Sequence, residues 1–136
     1  MHRAACLVLC FTLTAGCRTA GERLPVTPLA EDAGPLPYAE LLTRTRLQAS
    51  SANEAFYLDR WLELEEEAKG LEQTARFLPK ATEVPAKHRE ALTKDADLLG
   101  QEAAKLRVAA KAKDVKGSNE ILQRINLKVR ELRLEN

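Results

Sequence analysis

Downstream of residue 17 the chain offers few groups able to do chemistry: one histidine, His88, no methionine, no further cysteine, and serines at 50 and 51 without a histidine or Gly-rich elbow beside them. A zinc site needs three or four convergent ligands, and a single imidazole cannot supply them. A carboxylate-bridged di-iron centre needs Glu-x-x-His on two helices, and no glutamate stands three residues before His88. Nucleophilic catalysis needs a base within reach of a serine, and the sequence places none. His88, between Lys87 and Arg89 in the first turn of a predicted helix, reads as an exposed surface histidine. Glu63, Glu65, Glu66 and Glu67 resemble a cation-binding run. Their place in the N-terminal half of a predicted helix, with Arg76 and Lys80 near its far end, is instead what the helix dipole favours, so they read as a solvated face. Expected catalytic, metal and cofactor residues are therefore none, and the expected activity is non-enzymatic.

One reactive side chain stands apart. Met1-His2-Arg3 gives a charged start, Ala4 to Leu13 is apolar but too short to span a bilayer, and Thr14-Ala15-Gly16 brings small residues up to Cys17. The stretch resembles the lipobox of bacterial lipoproteins, with Thr14 where a leucine is usual and Leu13 one position earlier. The resemblance implies a signal peptide over 1–16 and lipidation of Cys17, which becomes the first mature residue. A plain secretory signal cut nearby and a buried helix of a cytosolic protein, in which Cys6, Cys10 and Cys17 are ordinary small hydrophobes, are the alternatives. The implied localisation is the bacterial cell envelope, facing the periplasm or exterior, with the membrane engaged through the lipid. Cys6 and Cys10 would leave with the leader, so the domain would have to be stable through packing without a disulfide. With Arg3 also gone, twenty basic residues balance twenty acidic ones. No basic field is left to attract nucleic acid.

The positioning elements follow from composition. Residues 17–36 carry Gly21, Pro25, Pro28, Gly34 and Pro35 without helical or strand period, which predicts a flexible tether, an ordered strap across the domain being the alternative. From Pro37 to the end, residues 37–136, Leu, Ala, Glu, Lys, Arg and Gln dominate. Helix A has a face of Tyr38, Leu41, Leu42, Thr45, Ala49, Ala52 and Phe56. Helix B has the clearest stripe, Trp61, Leu64, Ala68, Leu71, Ala75 and Leu78. The break between them falls at Ser51, where Ser-Ala-Asn-Glu has capping-box spacing, or at Asp59, which can cap helix B. Pro79 to Pro85 reads as a loop and Pro85 as the start of helix C, whose buried side is Ala91, Leu92, Leu98, Leu99, Leu106, Ala109 and Ala110. Ser118 is expected to cap helix D, with Ile121, Leu122, Ile125, Val129 and Leu132 inward. Four helices of similar length joined by short turns predict an all-α, antiparallel up-down-up-down four-helix bundle.

Phe56, Tyr57 and Trp61 gather at the corner between helices A and B, where they either fill the end of the core or line a pocket for a flat apolar ligand. Finally, Ala109-Ala110-Lys111-Ala112-Lys113-Asp114 followed by Ile125 to Arg133 is similar in layout to the end of cytochrome c-prime-like bundles, over about the final 95 residues. That family carries Cys-x-x-Cys-His on its last helix. The matching positions here are Val129, Leu132 and Arg133, so the resemblance implies a bundle without covalent haem. Two functions are expected from these readings. The first is a membrane-tethered periplasmic or outer-membrane lipoprotein acting as a helical interaction or structural module toward another envelope protein, through surfaces such as Arg44, Arg46 and Glu63 to Glu67. The alternative is a carrier or sensor of a noncovalent apolar ligand or haem.

Overall fold

The computed structural model describes residues 26–133; the leader, Cys17 and the first part of the expected tether lie outside the described residues. The described chain is all-helical, with five α-helices, α1 (Tyr38–Tyr57), α2 (Trp61–Phe77), α3 (Ala86–Arg89), α4 (Leu92–Lys111) and α5 (Val115–Glu131), plus a 3-10 turn over Leu78–Lys80 and no strand. Among the described residues, no helix is long and apolar enough to cross a membrane. α2 packs along both α1 and α4, and α5 along both α4 and α1.

The apolar stripes expected on helices A, B and D are the ones that meet inside. Leu41, Leu64, Leu71 and Ile125 are fully buried, as are Ala52 and Ala68, whose small side chains let the helix axes approach. The third stripe keeps Leu92, Leu99, Leu106, Ala109 and Ala110 inside as expected but loses Ala91 and Leu98, the latter only half-buried. Helix C is not one rod, because the chain breaks at Glu90 and Ala91 between the single turn of α3 and the start of α4. Ala91 is consequently exposed, and Ala96 and Ala103 take buried places beside Leu92, Leu99 and Leu106. Leu92, Ala96, Leu99, Ala103 and Leu106 follow the alternation of three and four that one helix face requires.

Helix ends differ most from expectation. α1 runs through Ser51 and stops at the second of the two candidate breaks, yet Asp59 caps nothing: its φ of 54° is left-handed, and the residue before α2 is Arg60, without a side-chain cap bond. Aspartate tolerates this conformation better than most residues, which makes it a turn former here. At the start of α5 the cap is Asp114, whose Oδ1 accepts from the Gly117 N–H at 2.9 Å. Ser118 lies one turn inside the helix, fully buried, and its Oγ has no protein partner.

The expected tether is, from residue 26 onward, a strap laid on the body. Leu29, Ala33 and Leu36 pack against the core. Gln73 of α2 holds the strap by two bonds to one residue: its Oε1 accepts from the Leu29 N–H at 3.0 Å and its Nε2 donates to the Leu29 carbonyl at 2.7 Å. The Arg44 guanidinium donates to the Thr27 carbonyl. The strap then passes Thr82, whose N–H donates to the Leu36 carbonyl and whose carbonyl accepts from the Tyr38 N–H, both at 2.9 Å. These bonds satisfy backbone groups on either side of Pro37, which has no N–H of its own.

Candidate functional site

The aromatic corner is where the chain departs from ordinary burial. Phe56, at the last turn of α1, is half-buried and meets Trp61 edge-on, ring centroids 6.1 Å apart, and Tyr57 edge-on at 5.5 Å. Phe56 and Trp61 also pack against the core, so these two do close its end. Tyr57 does not: it is 76% exposed, and Leu58 and Leu62 beside it are exposed as well, Leu62 to 81%. The structure thus brings the three sequence-expected residues together as a contiguous ring cluster, two half-buried and one displayed. Edge-to-face pairs at these separations hold the rings in fixed relative orientation, which makes the corner a shaped apolar surface.

The acidic run beside it divides into two environments. Glu63 pairs with Arg60 at 3.3 Å and Glu66 lies 3.9 Å from Lys69, all exposed, as a solvated face would be. Glu67 differs, being half-buried. Burial, reinforced by the negative charge of Glu63 one turn away, pushes its carboxyl up to about 7. Because the folded state holds this proton more tightly than the unfolded chain, Glu67 costs no stability below its ordinary value of 4.5, and the cost grows as pH rises from there to about 7. The variant Glu67→Gln is therefore expected to melt higher than wild type at pH 8. The gain should be about 1 kcal/mol after discounting for solvent screening, and should vanish near pH 4.5. Thermal melts of both proteins across that range check the expectation, and equal melting curves at pH 8 would contradict it.

At the opposite end of α1, His88 is not the exposed histidine expected. Its ring lies over Tyr38, centroids 5.7 Å apart, and its Nε2 stands 3.0 Å from the Arg133 carbonyl. The imidazole is half-buried and ties α3 to the end of α5. The short α3 carries it there. Of the positions matched to a haem-attachment motif, Val129 and Leu132 are buried in the core and Arg133 supplies this carbonyl.

Several polar residues inside the body are paired across helices. Thr74 Oγ1 donates to Gln48 Oε1 at 2.9 Å, and the side-chain amides of Asn53 and Asn126 exchange two bonds of 3.2 Å between α1 and α5. Glu102 accepts from Lys105 and from Arg124, each at 2.7 Å. Burial works against its carboxylate, but these hydrogen bonds and charges outweigh it and hold its pKa below the ordinary value. Each of these groups is satisfied by a partner that also joins two helices or two turns, so they specify register rather than present a reactive atom. Among the described residues, no group of three or more histidine, cysteine, aspartate or glutamate side chains is placed to hold a metal ion.

No protein-family model, curated protein or solved structure matches the chain.

Proposed function

We propose that this chain is a bacterial envelope lipoprotein, anchored through lipid on Cys17, whose helical body acts without catalysis by presenting the Tyr57–Leu62 end to another protein. The observation that carries the reading is the exposed aromatic corner. Leu41, Leu64, Leu71, Leu99 and Leu106 are fully buried, whereas Tyr57, Leu58 and Leu62, close together in the chain, are all exposed. Clustered exposed apolar groups rimmed by polar ones are the usual mark of an interaction surface. The Ala4–Leu13 leader and the small residues before Cys17 support the anchor.

The body is read as an antiparallel up-down-up-down bundle of α1, α2, α4 and α5. Supporting this, Gln48 meets Thr74, Glu72 meets Arg107 and Glu102 meets Arg124, while the start of α1 meets the end of α5 through Tyr38 and Leu132. In this arrangement the strap joins α1 at the end opposite the aromatic corner.

A photo-crosslinking residue at position 57, compared with one at exposed Gln101 on α4, tests the surface in native envelopes. Adducts to protein from position 57 and none from 101 are expected, and no adduct from 57 would overturn the reading. Fatty-acid labelling that persists when Cys17 is replaced by serine would remove the anchor.

A further inference from the structure

Seven large apolar side chains are exposed among the described residues, and five of them, Tyr57, Leu58, Leu62, Val108 and Val115, belong to the two turns α1–α2 and α4–α5. Both turns lie at one end of the body, because Glu72 of α2 meets Arg107 of α4 and Glu102 of α4 meets Arg124 of α5. They differ in height. A Cβ at Gly100 of α4 would stand 3.5 Å from that of Ala75 on α2, which sets the two helices level there; from that level α2 continues for fourteen residues to Trp61 and α4 for eleven to Lys111. At a rise of about 1.5 Å per residue the α1–α2 corner projects past the α4–α5 corner by about 5 Å.

The corners also differ in charge. Around Tyr57 and Leu62 stand exposed Glu54, Asp59, Glu63 and Glu66, against Arg60, paired with Glu63, and Lys69, 3.9 Å from Glu66, so this corner is net acidic. Around Val108 and Val115, 65% and 59% exposed, stand Lys111, Lys113 and Lys116, against Asp114, whose carboxylate is engaged as the helix cap. A shallow depression of about 460 Å³ lies beside Val108, lined by Ala104, Lys105, Val108, Ala109, Ala112 and Asp114. One end of the molecule thus carries a projecting acidic aromatic corner and a recessed basic aliphatic one.

We propose that this end pairs with the same end of a second copy of the chain, head to head about a twofold axis, so that the Tyr57–Leu62 corner of each copy packs against the Val108–Val115 corner of the other. The proposal rests on the reading of this end as a binding face and names its occupant. A twofold contact requires a surface complementary to itself. Two unlike corners side by side meet that requirement, since rotation brings each onto its opposite in height and in charge. The apolar centre supplies the affinity, and the charges select the pairing and speed encounter.

Sedimentation equilibrium of the natively matured protein in mild detergent is expected to show a monomer–dimer equilibrium that weakens with added salt. Leu62→Glu is expected to weaken the dimer at least about tenfold. A charge-swap pair makes the test specific: Glu54→Lys with Glu66→Lys in one protein, Lys111→Glu with Lys116→Glu in another. Each alone sets like charges against each other at both contacts and should sediment as a monomer. Mixed in equal amounts, the two restore both contacts and should form a heterodimer, which also shows that both are folded. A monomeric wild type, a dimer indifferent to Leu62→Glu, or a mixture that stays monomeric overturns the pairing. A monomer that still forms position-57 adducts with a different envelope protein overturns the pairing alone, whereas a monomer without any adduct overturns the binding face as well.

Discussion

Tyr38→Phe is expected to destabilise the domain by about 2 kcal/mol, lowering the melting temperature by roughly 8 °C, although it removes a single oxygen atom. Tyr38 is 1% exposed, and its hydroxyl donates to the Leu132 carbonyl at 2.6 Å. That carbonyl belongs to the C-cap residue of α5, one of the helix-end acceptors that need a partner from outside the helix, and the Tyr38 hydroxyl is that partner. With phenylalanine in place the acceptor stays buried and loses its bond, and the cost is that of desolvating it without compensation. Tyr38→Ala removes the ring as well, taking the support from under His88, and should cost about 4 kcal/mol. Urea denaturation of the three proteins at neutral pH gives both differences.

The same hydroxyl carries a pH signature that separates its bond from its bulk. Burial, with the charge of Asp95 nearby, raises the Tyr38 hydroxyl from its ordinary 10 to about 12. Between those values the unfolded chain releases the phenolic proton and the folded protein retains it, so stability falls as pH rises through that window. Other groups also titrate there, but the difference between wild type and Tyr38→Phe isolates this one. The gap between them should narrow from pH 10 upward, and a gap constant to pH 12 would show that the hydroxyl is not held as described.

The parts of this fold that were legible in the sequence are those governed by local period. Leu64, Ala68, Leu71, Ala75 and Leu78 repeat at steps of three and four, and all five are buried. What was not legible depends on residues far apart in the chain. Leu29, Ala33 and Leu36 stand among Pro28, Gly34 and Pro35, which oppose any regular element that would mark them as a buried face, and the strap is held by Gln73, forty-four positions from Leu29. His88 looks like a surface residue beside Lys87 and Arg89 until α3 is folded against the last residues of α5. The cap of α5 was misplaced for a related reason. Asp114 and Ser118 both have capping side chains, and the left-handed Lys113, φ 53°, ends α4 early enough for Asp114 to serve. The aromatic corner was visible as a cluster from the spacing of Phe56, Tyr57 and Trp61. Its exposure was not, because Tyr57 falls one residue off the stripe at the point where the helix stops and no following turn covers it.

Gly70→Ala and Gly100→Ala should shift stability in opposite directions, though both replace a mid-helix glycine by the best helix former. In an exposed helix each would gain about 1 kcal/mol. At Gly100 the new methyl would stand 3.5 Å from the Ala75 side chain, an ordinary contact across α2 and α4, so most of that gain should be realised. At Gly70 it would stand 2.6 Å from the Gln48 amide nitrogen. Gln48 is buried, and its Oε1 is the acceptor for the Thr74 hydroxyl, itself fully buried. To clear the methyl, the amide must leave that bond, stranding a hydroxyl without solvent, and the loss of about 1–3 kcal/mol exceeds the propensity gain. Gly70→Ala is therefore expected to destabilise by about 1–2 kcal/mol net. The cause can be isolated in a Gln48→Ala, Thr74→Val background, where the amide and the hydroxyl that needs it are both gone. There Gly70→Ala should become neutral or stabilising, and the non-additivity measures the Gln48–Thr74 contact directly. If Gly70→Ala costs as much in that background as in wild type, the glycine is required for the path of α2 itself and not for the room it leaves to Gln48.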